Sequence, residues 1–349
     1  MLVISGRKIG PGEPPFVIAE MSCNHHGRYE EAEKIVRAAK DAGADAIKLQ
    51  TYTPDTMTLD APQPWFRIKG TIWDGRGLHE LYREAMTPWE WHAPLKKLAD
   101  SLGLIIFSSP FDATAVDFLE KLGMPAYKIA SFENGDIPLI KKVAATGKPI
   151  IVSTGTATTE EVDEAVKTLR AAKSSFALLK CVSAYPAPPE EMNLRAIAAL
   201  GERHGVPIGL SDHTLGSSVA TAAVALGACV IEKHLTISRA AGGPDAPFSM
   251  EPAEFKSMVS DLRAAQTALG DGRLGPAPSE TPSRAFRRSL FVVQDMKKGA
   301  AFTSGNVRAI RPGNGLPPKE YDAVLGLRAA RDIVRGTPLS WDLVTKERP

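Results

Sequence analysis

The chain has 349 residues, 44% of them hydrophobic and 23% charged, with a formal net charge of +2. That length suits one large domain plus a small one, and the composition excludes a disordered or fibrous chain. The near-zero charge excludes a nucleic-acid partner held by bulk electrostatics.

The first residues, MLVISGRKIGPGEPPF, break at Gly and Pro before any apolar run develops, so no signal peptide is expected. No membrane association is expected either. The longest apolar-leaning run, residues 219–231, is alanine-rich and short of the ~20 residues that span a bilayer. Cys23, Cys181 and Cys229 form no CxxC pair and no even set, which points to a reduced, cytoplasmic protein without structural disulfides.

From residue 16 to about 270, short β-branched runs alternate with longer segments of helical spacing. The runs are 16–22, 46–52, 104–110, 126–131, 149–155, 176–186, 207–213 and 230–237. Each is nearly continuous in apolar residues, as parallel strands covered on both faces are. The segments between them carry start signals. Thr87 to Glu90 reads as a capping box with Pro at the first helical position, and Thr158 to Glu161 reads as another. Glycines 43, 103, 123, 147 and 227 read as stops. Eight strand–helix units in this length predict an α/β fold, a (β/α)8 TIM barrel over residues 1–270, with a doubly wound sheet as the alternative. Segment 53–87 carries Trp65, Phe66, Trp73 and Tyr82. It reads as an active-site loop whose aromatics need cover, rather than a mobile surface insertion.

Residues 271–285 are rich in Pro, Gly and Ser and read as a linker. Residues 286–349 change texture, with short strand-like pieces and turn clusters. From residue 287 onward there are 12 Lys and Arg against 6 Asp and Glu, a net +6, so the rest of the chain is near −4. A small basic module follows a mildly acidic barrel.

A barrel of this kind carries its active site at the carboxyl ends of its strands. Polar residues collect there in almost every run: Glu20, Asn24 and His25; Lys48 and Gln50; Ser108 and Ser109; Lys128 and Ser131; Ser153; Ser183 and Tyr185; Ser211, Asp212 and His213; Glu232 and His234. Buried charge is costly unless paired or bound to something charged. Lys48 and Lys128 with several hydroxyls suggest an anionic ligand, while a Schiff-base lysine is the competing use. His213 and His234 lie on successive runs, each close to an acid. They read as ligands of a divalent metal, or as one structural histidine and one general base. The GxGxxG match at Gly270, Gly272 and Gly275 follows a helix rather than a strand, the wrong context for a dinucleotide site.

The strand-end motifs FVIAEMSCNHHG, AIKLQTYTPD, AYKIASFE, IVSTG, SAYPAP, GLSDHTLG and IEKHL together resemble the sialic acid synthase family. KKGAAFTSGNVRAIRPGNGL resembles the antifreeze-like SAF domain that follows that family's barrel. Within the family, FRIKGTIWDGRGLHELYREAMTPWEWH, FSSPFD and RRSLFVVQDMKKG look most like the branch that makes pseudaminic acid. The resemblance implies condensation of phosphoenolpyruvate with an N-acetylated amino sugar, here 2,4-diacetamido-2,4,6-trideoxy-L-altrose. The alternatives are N-acetylneuraminate or legionaminic acid synthesis. A pyruvate aldolase and a non-catalytic carbohydrate-binding protein are remoter ones. Two departures bear on the sugar: Ser183 stands where N-acetylneuraminate synthases carry Asn, and SRAAGGPDAPFSM lacks an acid that related chains place before the Gly pair.

By the same resemblance, Lys48, Lys128, Ser131, Ser153, Ser183 and Ser211 hold phosphoenolpyruvate, and Gln50, Tyr185 and Asp245 help bind the substrates. His213 and His234 hold Mn2+ or Mg2+. Glu20 is expected to steady the cationic centre or orient the attacking water, making Glu20, Lys48 and Lys128 the expected catalytic set. Arg311 is expected to contact the sugar's N-acetyl group in the partner subunit of a domain-exchanged homodimer.

Overall fold

A computed structural model of the chain describes residues 1–345. It falls into two compact units, Met1–Gly270 and Asp271–Pro349.

The first unit opens with an antiparallel hairpin, β1 (Leu2–Ile4) and β2 (Arg7–Ile9). Eight parallel strands follow: β3 (Phe16–Glu20), β4 (Ala46–Thr51), β5 (Ile105–Pro110), β6 (Tyr127–Ile129), β7 (Ile150–Ser153), β8 (Phe176–Cys181), β9 (Ile208–Asp212) and β10 (Val230–His234). They close in sequence order, with β10 pairing β3. The expected barrel is therefore the observed one, and every strand lies inside the run that predicted it.

The helices are α1 (Tyr29–Asp41), α2 (Pro54–Met57), α3 (Leu78–Ala85), α4 (Trp89–Ser101), α5 (Ala113–Lys121), α6 (Ile137–Ala144), α7 (Thr159–Ala171), α8 (Ala196–His204), α9 (Ser218–Ala225) and α10 (Pro252–Ala268). Thr158 caps α7 in a full capping box with Glu161. The box expected at Thr87 does not form. Pro88 occupies the cap position of α4 without a side-chain bond, and the buried Thr87 hydroxyl bonds His25 Nε2 at 3.2 Å instead. No helix is long and apolar enough to cross a membrane among the described residues.

Alternation along the strands divides the barrel into two chemistries. Residues of one parity (Val17, Ile47, Tyr127, Val152, Ile231) pack outward against the helices. Those of the other parity point inward. Near the strand starts they are apolar: Ile18, Ala46, Phe107, Ala126, Ile151 and Val230. Leu2, Ile4 and Ile9 of the hairpin join this cluster, so the hairpin plugs the amino-terminal end. Sequence reading missed the hairpin because each arm is three residues long. Two or more residues further along each strand the inward parity turns polar, which builds the mouth.

In the second unit β11 (Ser289–Val292) pairs antiparallel with β12 (Val307–Ile310) over a small core of Leu290, Val292, Phe302, Val307 and Leu339. The turn after β12 is fixed to β11. Ser289 Oγ–H donates to Pro312 O at 2.7 Å and accepts from Gly315 N–H at 2.8 Å. A Cβ on Gly315 would collide with Leu290 O, so the close approach requires glycine there.

Candidate active site

The inward residues at the carboxyl ends of the strands form one connected polar network. Glu20 and Lys48 are register partners on β3 and β4, and His234 of β10 is the register partner of Glu20 on its other side. Lys48 Nζ lies 2.9 Å from Glu20 Oε2 and 3.3 Å from Glu232 Oε1. Lys128 Nζ lies 3.5 Å from the same Glu232 oxygen and donates to Ser153 Oγ at 2.7 Å. Ser211 Oγ–H donates to Glu232 at 3.2 Å. Gln50 Nε2–H donates to Glu20 Oε1 at 3.0 Å, and Ser22 N–H donates to the same oxygen. Glu20, Lys48, Lys128 and Glu232 are each under 5% exposed, so their charges must be matched within the site.

The balance sets the protonation states. Burial pulls the Lys48 ammonium down, but the Glu20 and Glu232 carboxylates outweigh it and hold its pKa above the ordinary lysine value. Lys128 has fewer counter-ions, and burial, helped by the Lys48 charge, leaves its pKa below the ordinary value. Burial alone would raise Glu232. The two lysines reverse that and keep it an anion.

Next to Lys128 the end of β7 opens a hydroxyl cradle. Its Gly155 has no side chain, and a Cβ there would collide with Ser183 Oγ and lie 2.7 Å from Ser131 Oγ. Ser131, Ser153, Ser183 and the Lys128 ammonium thus cluster round one spot, a donor set suited to an oxyanion.

On the other side of the mouth stand the imidazoles, His213 and His234, with ring centroids 5.4 Å apart. His213 Nδ1 bonds Val182 O at 2.9 Å. His234 Nδ1 is buried, without a hydrogen-bond partner, and lies 3.4 Å from Asp245 Oδ2. Burial alone would raise the Asp245 carboxyl, but the neighbouring His234 holds it below the usual range. Carbonyl and carboxylate neighbours on Nδ1 leave Nε2 as the basic nitrogen, the arrangement seen behind metal-ligating histidines. The donor set therefore fits a divalent cation with two protein ligands. Among the described residues no group of three His, Cys, Asp or Glu is gathered for a metal, so oxygen atoms of substrate and water would complete the shell. Tyr185 stacks against His213 at 4.4 Å between centroids, and Phe248 packs on both Tyr185 and His234.

Of the thirteen residues expected from sequence to have a catalytic, substrate-binding or metal-binding role, twelve gather at this mouth. Arg311, the thirteenth, is exposed in the second unit, on the turn that Ser289 fixes. Asp212 does not serve His213. Its parity sends it outward, where it pairs with buried Lys233 at 2.7 Å and holds Thr214.

Sequence reading placed Glu232 at the mouth without a role, yet it is the shared counter-ion of both lysines. It missed Asn134, whose Nδ2–H donates to Ser153 O at 3.1 Å. It also missed Glu133, which lines the cavity with one oxygen buried and unpartnered. Burial pushes the Glu133 carboxyl up to about 7. Glu133 ends the short 3-10 turn Ser131–Glu133 after β6 and Asn134 caps it, so strand parity gave no signal for them.

A cavity of about 420 Å3 lies over the mouth, lined by Gln50, Tyr52, Tyr185, His234 and Asp245 together with residues of segment 53–87. That segment therefore lines the candidate site. Trp73 Nε1–H fastens it across the mouth to Pro244 O at 3.1 Å. Not all its aromatics are covered, since Trp65 is 71% exposed.

Comparison with known proteins shows the family and the fold. The sequence model of the NeuB family matches residues 35–274, and that of the SAF domain matches residues 287–345. The chain is 47% identical over 333 residues to the pseudaminic acid synthase of Helicobacter pylori, covering 95% of this chain and 98% of that protein. It is 37% identical to the N,N'-diacetyllegionaminic acid synthase of Legionella pneumophila, covering 97% and 98%. Its fold is similar to the crystal structure of N-acetylneuraminic acid (sialic acid) synthetase from Leptospira borgpetersenii, with a TM-score of 0.73, 33% identity, and 81% of this chain and 94% of that one covered.

Proposed function

The chain belongs to the NeuB family, and from that premise we propose that it is a pseudaminic acid synthase. It condenses phosphoenolpyruvate with 2,4-diacetamido-2,4,6-trideoxy-L-altrose and water, and it releases phosphate. The observation that carries the reading is the identity of 46–47% to pseudaminic acid synthases over more than nine-tenths of the chain, against 37% to the legionaminic acid enzyme.

The lysine side of the mouth supports the assignment of the donor. Phosphoenolpyruvate carries a phosphate and a carboxylate. Lys48 and Lys128 supply point charges, and Ser131, Ser153, Ser183 and Ser211 supply hydroxyl donors. The imidazole side supports the acceptor site. Mn2+ or Mg2+ held by His213 and His234 would act as a Lewis acid on the open-chain aldehyde. Gln50, Tyr185 and Asp245 orient the sugar beside it.

The terminal methylene carbon (C3) of phosphoenolpyruvate attacks the aldehyde carbon with the electron pair of its double bond, and the aldehyde oxygen takes up a proton. Positive charge develops at C2, the carbon that carries the phosphate oxygen, where Glu20 steadies it and orients water. The water loses a proton on adding, and the tetrahedral product expels phosphate by C–O cleavage. Arg311 contacts the sugar's N-acetyl group from the partner subunit of a domain-exchanged homodimer. Three free, buried cysteines support a reduced, cytoplasmic setting.

The test is phosphate release with a panel of sugars: the altrose derivative, its mannose-configured diacetamido counterpart and N-acetylmannosamine. The altrose derivative is expected to give the highest kcat/KM, with a product of the mass of pseudaminic acid. Preference for either other sugar would reassign the substrate within the family.

A further inference from the structure

Asn24 follows the end of β3 and is buried, 2% exposed. The sequence marks it as a mouth residue, yet no step of the reaction uses it. Its amide is a junction between distant stretches of chain. Nδ2–H donates to Leu235 O at 3.0 Å and to Ser249 Oγ at 2.9 Å. Leu235 O can only accept, so it fixes which end of the amide faces it.

Those two bonds hold the surroundings of His234. Leu235 comes directly after His234, and its N–H donates to Glu20 O at 2.9 Å. Ser249 Oγ–H donates to Asp245 O at 2.7 Å, which clasps the two flanks of the short 3-10 turn Ala246–Phe248. This turn and its flanks present two groups to the His234 ring. Asp245 Oδ2 lies 3.4 Å from Nδ1, and the Phe248 ring lies 5.0 Å away between centroids. Beyond the turn, Met250 N–H donates to His234 O at 2.9 Å.

We infer that Asn24, acting through Ser249, is a positioning residue for the candidate metal site: it holds the Asp245 carboxylate behind His234. The inference rests on the metal-assisted synthase reading above and deepens it. A carboxylate behind a ligating imidazole fixes the tautomer and the orientation of the ring, and losing such a partner costs about 10- to 100-fold in metal affinity. A carboxylate carried on a turn does this only while the turn is itself held. Asn24 supplies that hold, because one amide ties the turn to the residue that follows the imidazole.

The test uses the full chain, stripped of metal by a chelator and titrated with Mn2+, with free Mn2+ read by electron paramagnetic resonance. Asn24→Ala should weaken Mn2+ binding by about 10- to 100-fold, and Ser249→Ala by about 10-fold. The KM for phosphoenolpyruvate at saturating Mn2+ should not change, since the lysines and the hydroxyl cradle stand on other strands. Added to Asp245→Asn, Ser249→Ala should cost little further affinity, because both act through one carboxylate.

Wild-type Mn2+ affinity in folded Asn24→Ala and Ser249→Ala would overturn the inference. So would a loss in Ser249→Ala that is the same with and without the Asp245 carboxylate, since that is general loosening. If Asn24→Ala does not fold, Ser249→Ala, which keeps the bond from Asn24 to Leu235, decides alone. Wild-type Mn2+ affinity in His234→Ala would show that the imidazole metal site itself has failed, and the inference would fall with it.

Discussion

Lys48 and Glu20 face each other on neighbouring strands with Nζ and Oε2 2.9 Å apart, both out of reach of bulk water. The pair sets the Glu20 carboxyl group beside the donor site, and Glu232 stands as a second partner of Lys48 at 3.3 Å. Glu20→Gln is therefore expected to spare phosphoenolpyruvate binding while lowering kcat by about 100- to 10,000-fold, the range for a positioned acid–base group. Steady-state kinetics separate the two. A rise in KM with kcat intact would move Glu20 from the chemistry to donor binding.

The cradle at Gly155 has no room for a methyl, because a Cβ there meets the Ser183 and Ser131 hydroxyls. Gly155→Ala is expected to raise the KM for phosphoenolpyruvate by about 10-fold or more, equivalent to at least ~1.4 kcal/mol of lost binding. The KM for the sugar should change little. Equal effects on both substrates would show that the cradle does not serve the donor.

Glu133 supplies a pH signature. Its carboxyl has an ordinary value of 4.5 and is raised to about 7 in the fold, chiefly by burial. Between those two pH values the folded chain binds more protons than the unfolded chain, so this group's contribution to stability falls as pH rises through that window. Glu133→Gln should remove that component of the slope. Unfolding temperatures of the two proteins, measured from pH 4.5 to 7.5, should converge or cross as pH rises. Parallel curves would contradict the assignment.

The imidazole pair predicts the response to metal. A chelator should abolish turnover, and Mn2+ should restore it in wild type but not in His234→Ala. Asp245→Asn keeps both imidazoles and loses only the charge behind His234, so its apparent metal affinity should fall by about 10- to 100-fold. Titration of the chelated protein with Mn2+ measures this. Full activity of His234→Ala without metal would remove the imidazole pair from the reaction.

Arg311 and the barrel residues make a paired prediction. Arg311→Ala and His234→Ala should each lose activity as pure proteins. If the module of one subunit serves the barrel of its partner, co-folded mixtures of the two variants regain activity, because one barrel then has both groups. Mixtures as inactive as their components would place Arg311 in its own subunit's site or outside the site.

Much of this was legible in the sequence, for reasons the residues make plain. Eight runs such as AIKLQT and VIEKH are continuous because outward positions (Ile47, Ile231) meet helices and inward ones near the strand starts (Ala46, Val230) meet the barrel core. Against that background a Lys or Glu two residues further along announces the mouth. What the sequence concealed was parity and partnership. Lys48 and Lys233 look alike as lysines in apolar runs, but one points in and the other out, toward Asp212. Glu232, two residues before His234, shares its parity and was placed at the mouth, but its partnership with both lysines was hidden. Glu133, Asn134 and the bond between Thr87 and His25 were not readable, because each depends on how a turn meets a neighbouring strand or helix.

The most direct test of the central claim follows the bridging oxygen of phosphoenolpyruvate. With that atom labelled as oxygen-18 and the altrose sugar present, the released phosphate is predicted to carry the label, because water adds to carbon and the C–O bond breaks. Unlabelled phosphate, or turnover with pyruvate and no phosphate at all, would contradict the account.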